Sequence, residues 1–194
     1  MKTREDVKEQ KKQKRKEIKQ KIVQLDQEYC RKADQKIVEQ ILELKEFQQA
    51  ETVFCYVSTE TEVDTLPILK AVLKSGRRLG VPKCTEKGRM RVYEIHSLDE
   101  LKTGAYGIME PSEDCETMLS PEEIDFALIP CISCNGEGKR LGHGGGYYDR
   151  YLEQCPGVKA IVCRSRLMLP DIPVESHDIR MDLVVSEEKI WRLI

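Results

Sequence analysis

The chain has 194 residues, 40% hydrophobic and 34% charged, with a formal net charge of −2, enough for one α/β domain spanning residues 1–194 and short for two. No run of eighteen apolar residues occurs and the first 21 residues are densely charged, which excludes a spanning helix and a secretory signal and leads us to expect a cytoplasmic protein. The near-neutral total hides an asymmetry, because residues 1–21 carry ten Lys/Arg against four Asp/Glu while the rest carries 22 against 30.

Apolar residues at Ile18, Ile22 and Leu25, then at Tyr29, Ala33, Ile37, Ile41 and Leu44, recur at steps of three and four. This predicts two amphipathic helices, with Asp26 as N-cap of the second. The basic front end reads either as a solvated helix face or as an anion attractor for nucleic acid, acidic lipid or polyphosphate. No aromatic residue is interleaved through residue 27, which speaks against single-stranded nucleic acid. Thr52–Val57 predicts a strand and Leu66–Leu73 a helix that stops before Gly76. Between them Glu60, Glu62 and Asp64 form either a solvated acidic loop or a grip for the donor groups of a polar heterocycle. Leu79–Pro82, Met90–Ile95, Phe126–Pro130, Lys159–Cys163 and Leu183–Val185 predict further strands. The polar stretch from Glu110 to Glu122 reads as a surface connection. The alternation predicts a mainly parallel sheet with helices on both faces. Ligands in such sheets gather at the carboxyl ends of strands, which directs attention to the loops after Val57 and Pro130.

The stretch Lys139–Tyr151, KRLGHGGGYYDRY, carries the most chemistry. Gly142, Gly144, Gly145 and Gly146 lose backbone entropy on ordering but let successive amides converge on an anion ahead of a helix; a flexible hairpin tip is the competing reading. Neither the Gly-Lys-Ser/Thr ending nor the G-x-G-x-x-G spacing is present. Asp149 would repel a phosphate unless a divalent cation lay between them, and Mg²⁺ would want a second acid, Asp178 or Asp182. Arg140 offers a bidentate charge. His143, inside the loop, is within reach of a ligand there without an assigned acid–base role, and His96 and His177 read either as surface residues or as residues just behind those that touch a ligand. The eight cysteines are scattered, so they read as reduced. Cys131 and Cys134 form C-x-x-C, yet without a matching second pair, and at a strand end rather than a helix start, we expect neither zinc nor thiol redox chemistry.

In this order the motifs resemble the 5-formyltetrahydrofolate cyclo-ligase family along nearly the whole chain. They are K-x-x-x-R (Lys11, Arg15), E-V-D-T (Glu62–Thr65), Y-G-I-x-E-P (Tyr106–Pro111), the highly specific R-L-G-x-G-G-G-Y-Y-D-R (Arg140–Arg150) and H-D-x-x-M-D (His177–Asp182). The resemblance implies a three-layer, Rossmann-like α/β/α domain and an ATP- and Mg²⁺-dependent conversion of 5-formyltetrahydrofolate to 5,10-methenyltetrahydrofolate. It implies that Lys11, Arg15 and Arg140, with Gly142, His143, Gly144, Gly145, Gly146, Tyr147 and Tyr148, hold ATP, Lys11 and Arg140 acting catalytically. Asp149 and Asp182 would hold the metal, and Val57, Glu62, Tyr147 and Tyr148 would line the folate pocket. The implied partners are small molecules alone, ATP and the folate with or without a polyglutamate tail, in a cytoplasmic monomer that uses neither nucleic acid nor membrane. Cys131 where glycine is usual and Asn135 where aspartate is usual leave the shape of that strand end open. Two other readings stay available: a nucleic-acid module acting through the basic helix, and a phosphoester enzyme, such as a sugar-phosphate isomerase, turning over without ATP.

Overall fold

The computed structural model describes residues 4–104 and 107–194; Tyr106 of the Y-G-I-x-E-P segment lies outside the described residues. The elements in chain order are α1 (Arg4–Gln24), α2 (Gln27–Glu43), α3 (Lys45–Gln49), β1 (Thr52–Cys55), α4 (Leu66–Lys74), β2 (Arg78–Glu86), β3 (Arg89–Ile95), β4 (Leu101–Thr103), β5 (Met109–Pro111), β6 (Met118–Leu119), β7 (Phe126–Ile129), β8 (Ser133–Cys134), β9 (Arg140–Leu141), α5 (Tyr147–Leu152), β10 (Val158–Val162), β11 (Leu183–Val185) and β12 (Ile190–Arg192).

The main sheet has the order β12-β11-β10-β7-β1-β2-β3-β6. Its centre, from β11 to β2, is parallel, and antiparallel β12, β3 and β6 finish the edges. From β1 the chain crosses through α4 to β2 on one side, and from β7 through α5 to β10 on the other. The winding therefore reverses between β1 and β7, where adjacent strand ends diverge and leave a crevice.

Alternation along the central strands sends side chains to two cores. Val53 and Cys55, Phe126 and Leu128, and Ala160 and Val162 pack with Ile37 and Ile41 of α2, Phe47 of α3, and Ile68, Leu69 and Val72 of α4. Phe54, Ala127, Ile129, Ile161 and Val184 face the other way, against Ile18 of α1 and Leu152 of α5. Each fully buried Leu, Ile or Phe contributes about 1.5–3 kcal/mol of transfer free energy, so both layers are fastened by the same period-2 pattern. Asp26 accepts a bond from the Tyr29 amide at 2.9 Å and starts α2. By contrast, α1 buries only Lys11 and Ile18. It is seated by a narrow apolar contact and by its charges, which puts a basic helix over the carboxyl ends of the sheet. Among the described residues no helix is long and apolar enough to cross a membrane.

Candidate active site

A cavity of about 400 Å³ lies between α1 and the glycine loop, lined by Lys8, Lys11 and Arg15, Arg140, Gly142–Gly146, and Asp149, Glu175 and Asp178 among others. The loop is held from outside by its carbonyls. Arg15 Nε donates to Gly142 O at 2.7 Å, and Arg150 Nη1 donates to Gly145 O and Gly146 O at 3.1 Å and to Gly88 O at 2.7 Å. Arg150 therefore staples the loop to the β2–β3 turn, a role with no sequence signal because Gly88 is 62 positions away. Among the described residues no backbone amide of Gly142–Gly146 donates a hydrogen bond. Gly144 (φ 98°) and Gly146 (φ 67°) adopt the left-handed backbone that other residues resist. The helix that follows has only six residues, so the positive potential comes mainly from side chains and loop amides, less from a helix dipole than the sequence suggested.

Arg140 sits 9% exposed on β9, where the β8–β9 pairing of Cys134 with Arg140 turns it under the loop. Its guanidinium donates to Asp149 Oδ2 at 2.7 Å and to Pro130 O, the carboxyl end of β7, at 3.3 Å. It also lies 5.7 Å from the Tyr148 ring, while its Nε has no acceptor among the described residues. Burial pushes the Asp149 carboxyl up, but Arg140, the Ile179 amide and Lys11 outweigh it and hold the group below its usual range. Asp149 is thus an anion facing a basic cavity.

Lys11, nearly buried, donates to Asp178 Oδ2 at 2.5 Å and Glu175 Oε2 at 3.2 Å. Asp178 also accepts from the Glu175 amide at 2.6 Å. Of the two candidate acids, Asp178 lines the cavity and Asp182 is not among its lining residues. Asp182 accepts from the Lys159 amide at 2.8 Å and pairs with Lys159 Nζ at 3.2 Å. Lys159 is at the amino end of β10, the sheet edge opposite the glycine loop. Asp149, Glu175 and Asp178 supply hard carboxylate oxygens beside a phosphate-sized basic space, a donor set that suits Mg²⁺. His177, read as a surface residue or one just behind those that touch a ligand, stands on the rim with Nε2 4.0 Å from both Glu175 and Asp178.

A smaller cavity is lined by Tyr56, Glu62, Cys131, Cys163 and Arg164 and shares His143 with the larger one. Glu62 Oε2 accepts from the Thr59 amide and hydroxyl, both at 2.9 Å, and Oε1 lies 3.4 Å from His143 Nε2. Burial pushes Glu62 up, but His143 and Thr59 outweigh it and keep the carboxyl low. Arg164, 4% exposed, grips both Asp34 oxygens at 2.7 and 2.8 Å and the carbonyls of Thr61 (3.0 Å) and Glu62 (2.6 Å). It braces the Glu62 loop against α2 through contacts about a hundred residues or more apart, invisible in sequence. Tyr147 and Tyr148 both line the larger cavity, and the Tyr148 ring stacks on Phe54 at 6.1 Å. Val57 differs from expectation: it is 5% exposed in the first core, on the side of the chain that alternation shares with Val53 and Cys55. Asn135 keeps its turn through Oδ1, which accepts from the Glu137 and Lys139 amides at 3.1 Å. A carboxylate would make the same bonds, so the strand end is intact.

The sequence model described as the 5-formyltetrahydrofolate cyclo-ligase family matches residues 7–187. The 5-formyltetrahydrofolate cyclo-ligase of Escherichia coli K12 is 30% identical over 150 residues, 73% of this chain and 81% of that protein. The probable 5-formyltetrahydrofolate cyclo-ligase of Schizosaccharomyces pombe is 28% identical over 81% of this chain and 85% of its own length. Among solved structures, the 5,10-methenyltetrahydrofolate synthetase of Aquifex aeolicus superposes with a TM-score of 0.84 and 36% identity, covering 94% of this chain and 92% of that one. A Mycoplasma pneumoniae structure at 24% identity and TM-score 0.74 shares the fold.

Proposed function

The chain belongs to the 5-formyltetrahydrofolate cyclo-ligase family and is an enzyme of that class, and from that premise we propose that it uses ATP and Mg²⁺ to close 5-formyltetrahydrofolate into 5,10-methenyltetrahydrofolate, releasing ADP and phosphate. The observation that carries this reading is the basic cavity between α1 and the glycine loop, joined through His143 to the smaller cavity at Glu62. The larger space takes the triphosphate, and Glu62, beside His143 where the two cavities meet, orients the pterin. We further propose a single-domain cytoplasmic monomer.

The formyl oxygen of an amide is a poor leaving group. Attack of that oxygen on the γ-phosphorus, with ADP departing, makes an imidate-like phosphate; the neighbouring folate nitrogen then bonds to the formyl carbon, loses its proton, and inorganic phosphate leaves. Such transfers depend on positioning and charge neutralisation, with no covalent protein nucleophile. The loop amides and Arg15 align the phosphates. Lys11 and Arg140 both line the space the transferred group would enter and would offset its charge. Asp149 and Asp178 would hold Mg²⁺, whose positive charge would offset that of the phosphates. Glu62, ionised at neutral pH, accepts pterin N–H donors through the oxygen that faces His143. Tyr147 and Tyr148 contribute ring surface to the walls.

The test is growth of methenyl-folate absorbance with 5-formyltetrahydrofolate, Mg²⁺ and ATP, each omitted in turn. Omission of any one should abolish the signal, and Glu62→Gln should raise KM for folate while leaving Mg-ATP affinity unchanged. Turnover without ATP rejects the mechanism in favour of an ATP-independent reaction, and loss of ATP affinity in Glu62→Gln means the two pockets are exchanged.

A further inference from the structure

The C-x-x-C motif gains a third sulfur from the fold. Register between parallel β7 and β10 pairs Ile129 with Ile161, and two residues further on the same register brings Cys131 level with Cys163. The chain then turns into β8, carrying Cys134 back toward them. The three Sγ atoms all lie within 4.8 Å of one another. Cys134 and Cys163 are 0% and 3% exposed, and Cys131 and Cys163 line the smaller cavity. A search of the sequence for a second C-x-x-C or a paired histidine misses this arrangement, since the third thiol is supplied by a neighbouring strand.

We propose that Cys131, Cys134 and Cys163 form a thiolate site for a soft d¹⁰ metal ion of the Zn²⁺ or Cu⁺ kind, with its open coordination position toward the smaller cavity. Metal–sulfur bonds of about 2.3 Å place three sulfurs about 3.8–4.0 Å apart in tetrahedral or trigonal geometry, so closing onto an ion needs a shift of under about 1 Å at any sulfur. On binding, each S–H gives its proton to solvent as the S–metal bond forms, three protons in all, with no change of oxidation state. The site is chemically separate from the carboxylate cavity, because thiolates select soft ions and carboxylate oxygens select Mg²⁺. It stands independently of the proposed reaction.

The experiment titrates the full chain, reduced with a phosphine and desalted, with Cd²⁺ while following sulfur-to-cadmium charge-transfer absorption and proton release. Saturation at one equivalent with about three protons released is expected. Cys131→Ser, at the least buried of the three positions, and Cys163→Ser should each lose that step, whereas Cys115→Ser, outside the cluster, should keep it. Circular dichroism of Cys131→Ser verifies that the loss is not unfolding. Absence of a saturable band in the wild type, or its persistence in both Cys131→Ser and Cys163→Ser, overturns the proposal and leaves the cysteines as core packing.

Discussion

Arg140→Met keeps the unbranched stem of the side chain and removes its charge, and so separates structure from catalysis at the centre of the site. The substitution leaves Asp149 without the 2.7 Å partner that neutralises it. Losing one member of a buried pair costs about 3–5 kcal/mol. The Asp149 side chain keeps 15% exposure beside an open cavity and the Ile179 amide at 3.3 Å, so about 2–3 kcal/mol of stability is the expected loss. A donor aimed at charge that develops during phosphoryl transfer contributes roughly 2.7–4 kcal/mol to the barrier, so kcat/KM should fall about 100- to 1,000-fold. Urea midpoints measure the first quantity. Initial rates of methenyl-folate absorbance across a range of Mg-ATP concentrations at saturating folate, well below the unfolding temperature, measure the second. If stability falls as reckoned but kcat/KM for Mg-ATP stays within about threefold of wild type, Arg140 is a brace for Asp149 and the catalytic reasoning fails.

Gly146→Ala forces a side chain into a left-handed conformation at φ 67° and brings a Cβ to 3.1 Å from the Arg150 Nη1 that staples the loop. Strain of roughly 1–2 kcal/mol should raise KM for Mg-ATP about five- to thirtyfold; unchanged KM and thermal midpoint would refute the loop argument. Acid stability follows from Asp149 and Glu62, whose carboxyls are held below their ordinary values in the fold. The unfolded chain binds more protons in that window, so their stabilisation is complete above the ordinary carboxylate range and is lost as pH falls through the lower folded values. Urea midpoints should drop steadily below about pH 4, less so in Arg140→Met; a midpoint that holds or rises on acidification contradicts the assignment.

Short-range pattern was enough for much of the architecture. The three- and four-residue steps of Ile18 to Leu44, the capping Asp26, and the β-branched runs at Thr52, Phe126 and Leu183 are local signals, and the helices and central strands lie where they point. The short ribbons β4–β5 and β8–β9 and edge strands β6 and β12 were missed. They are two or three residues long, too brief for a period to register, and exist because a neighbour offers them a ladder. The KRLGHGGGYYDRY stretch declares a loop with unusual backbone freedom, because glycine content is itself a statement about φ.

What the sequence by itself determined is the list of chemical groups and the elements that bear them: a basic first helix, a glycine-rich turn, an acidic loop after the first strand, and scattered thiols. The tertiary structure alone decided which of these meet. Asp178 rather than Asp182 faces the cavity because Asp182 is claimed by Lys159 at the opposite sheet edge. Val57 turns into the core by alternation, Arg150 reaches a turn 62 positions away and Arg164 a helix 130 positions away, and Cys163 joins Cys131 through strand register. Spacing along a chain reports a neighbour only when both groups share one element. Across a parallel sheet, contact is set by strand order and register, which depend on how every layer buries its apolar face at once.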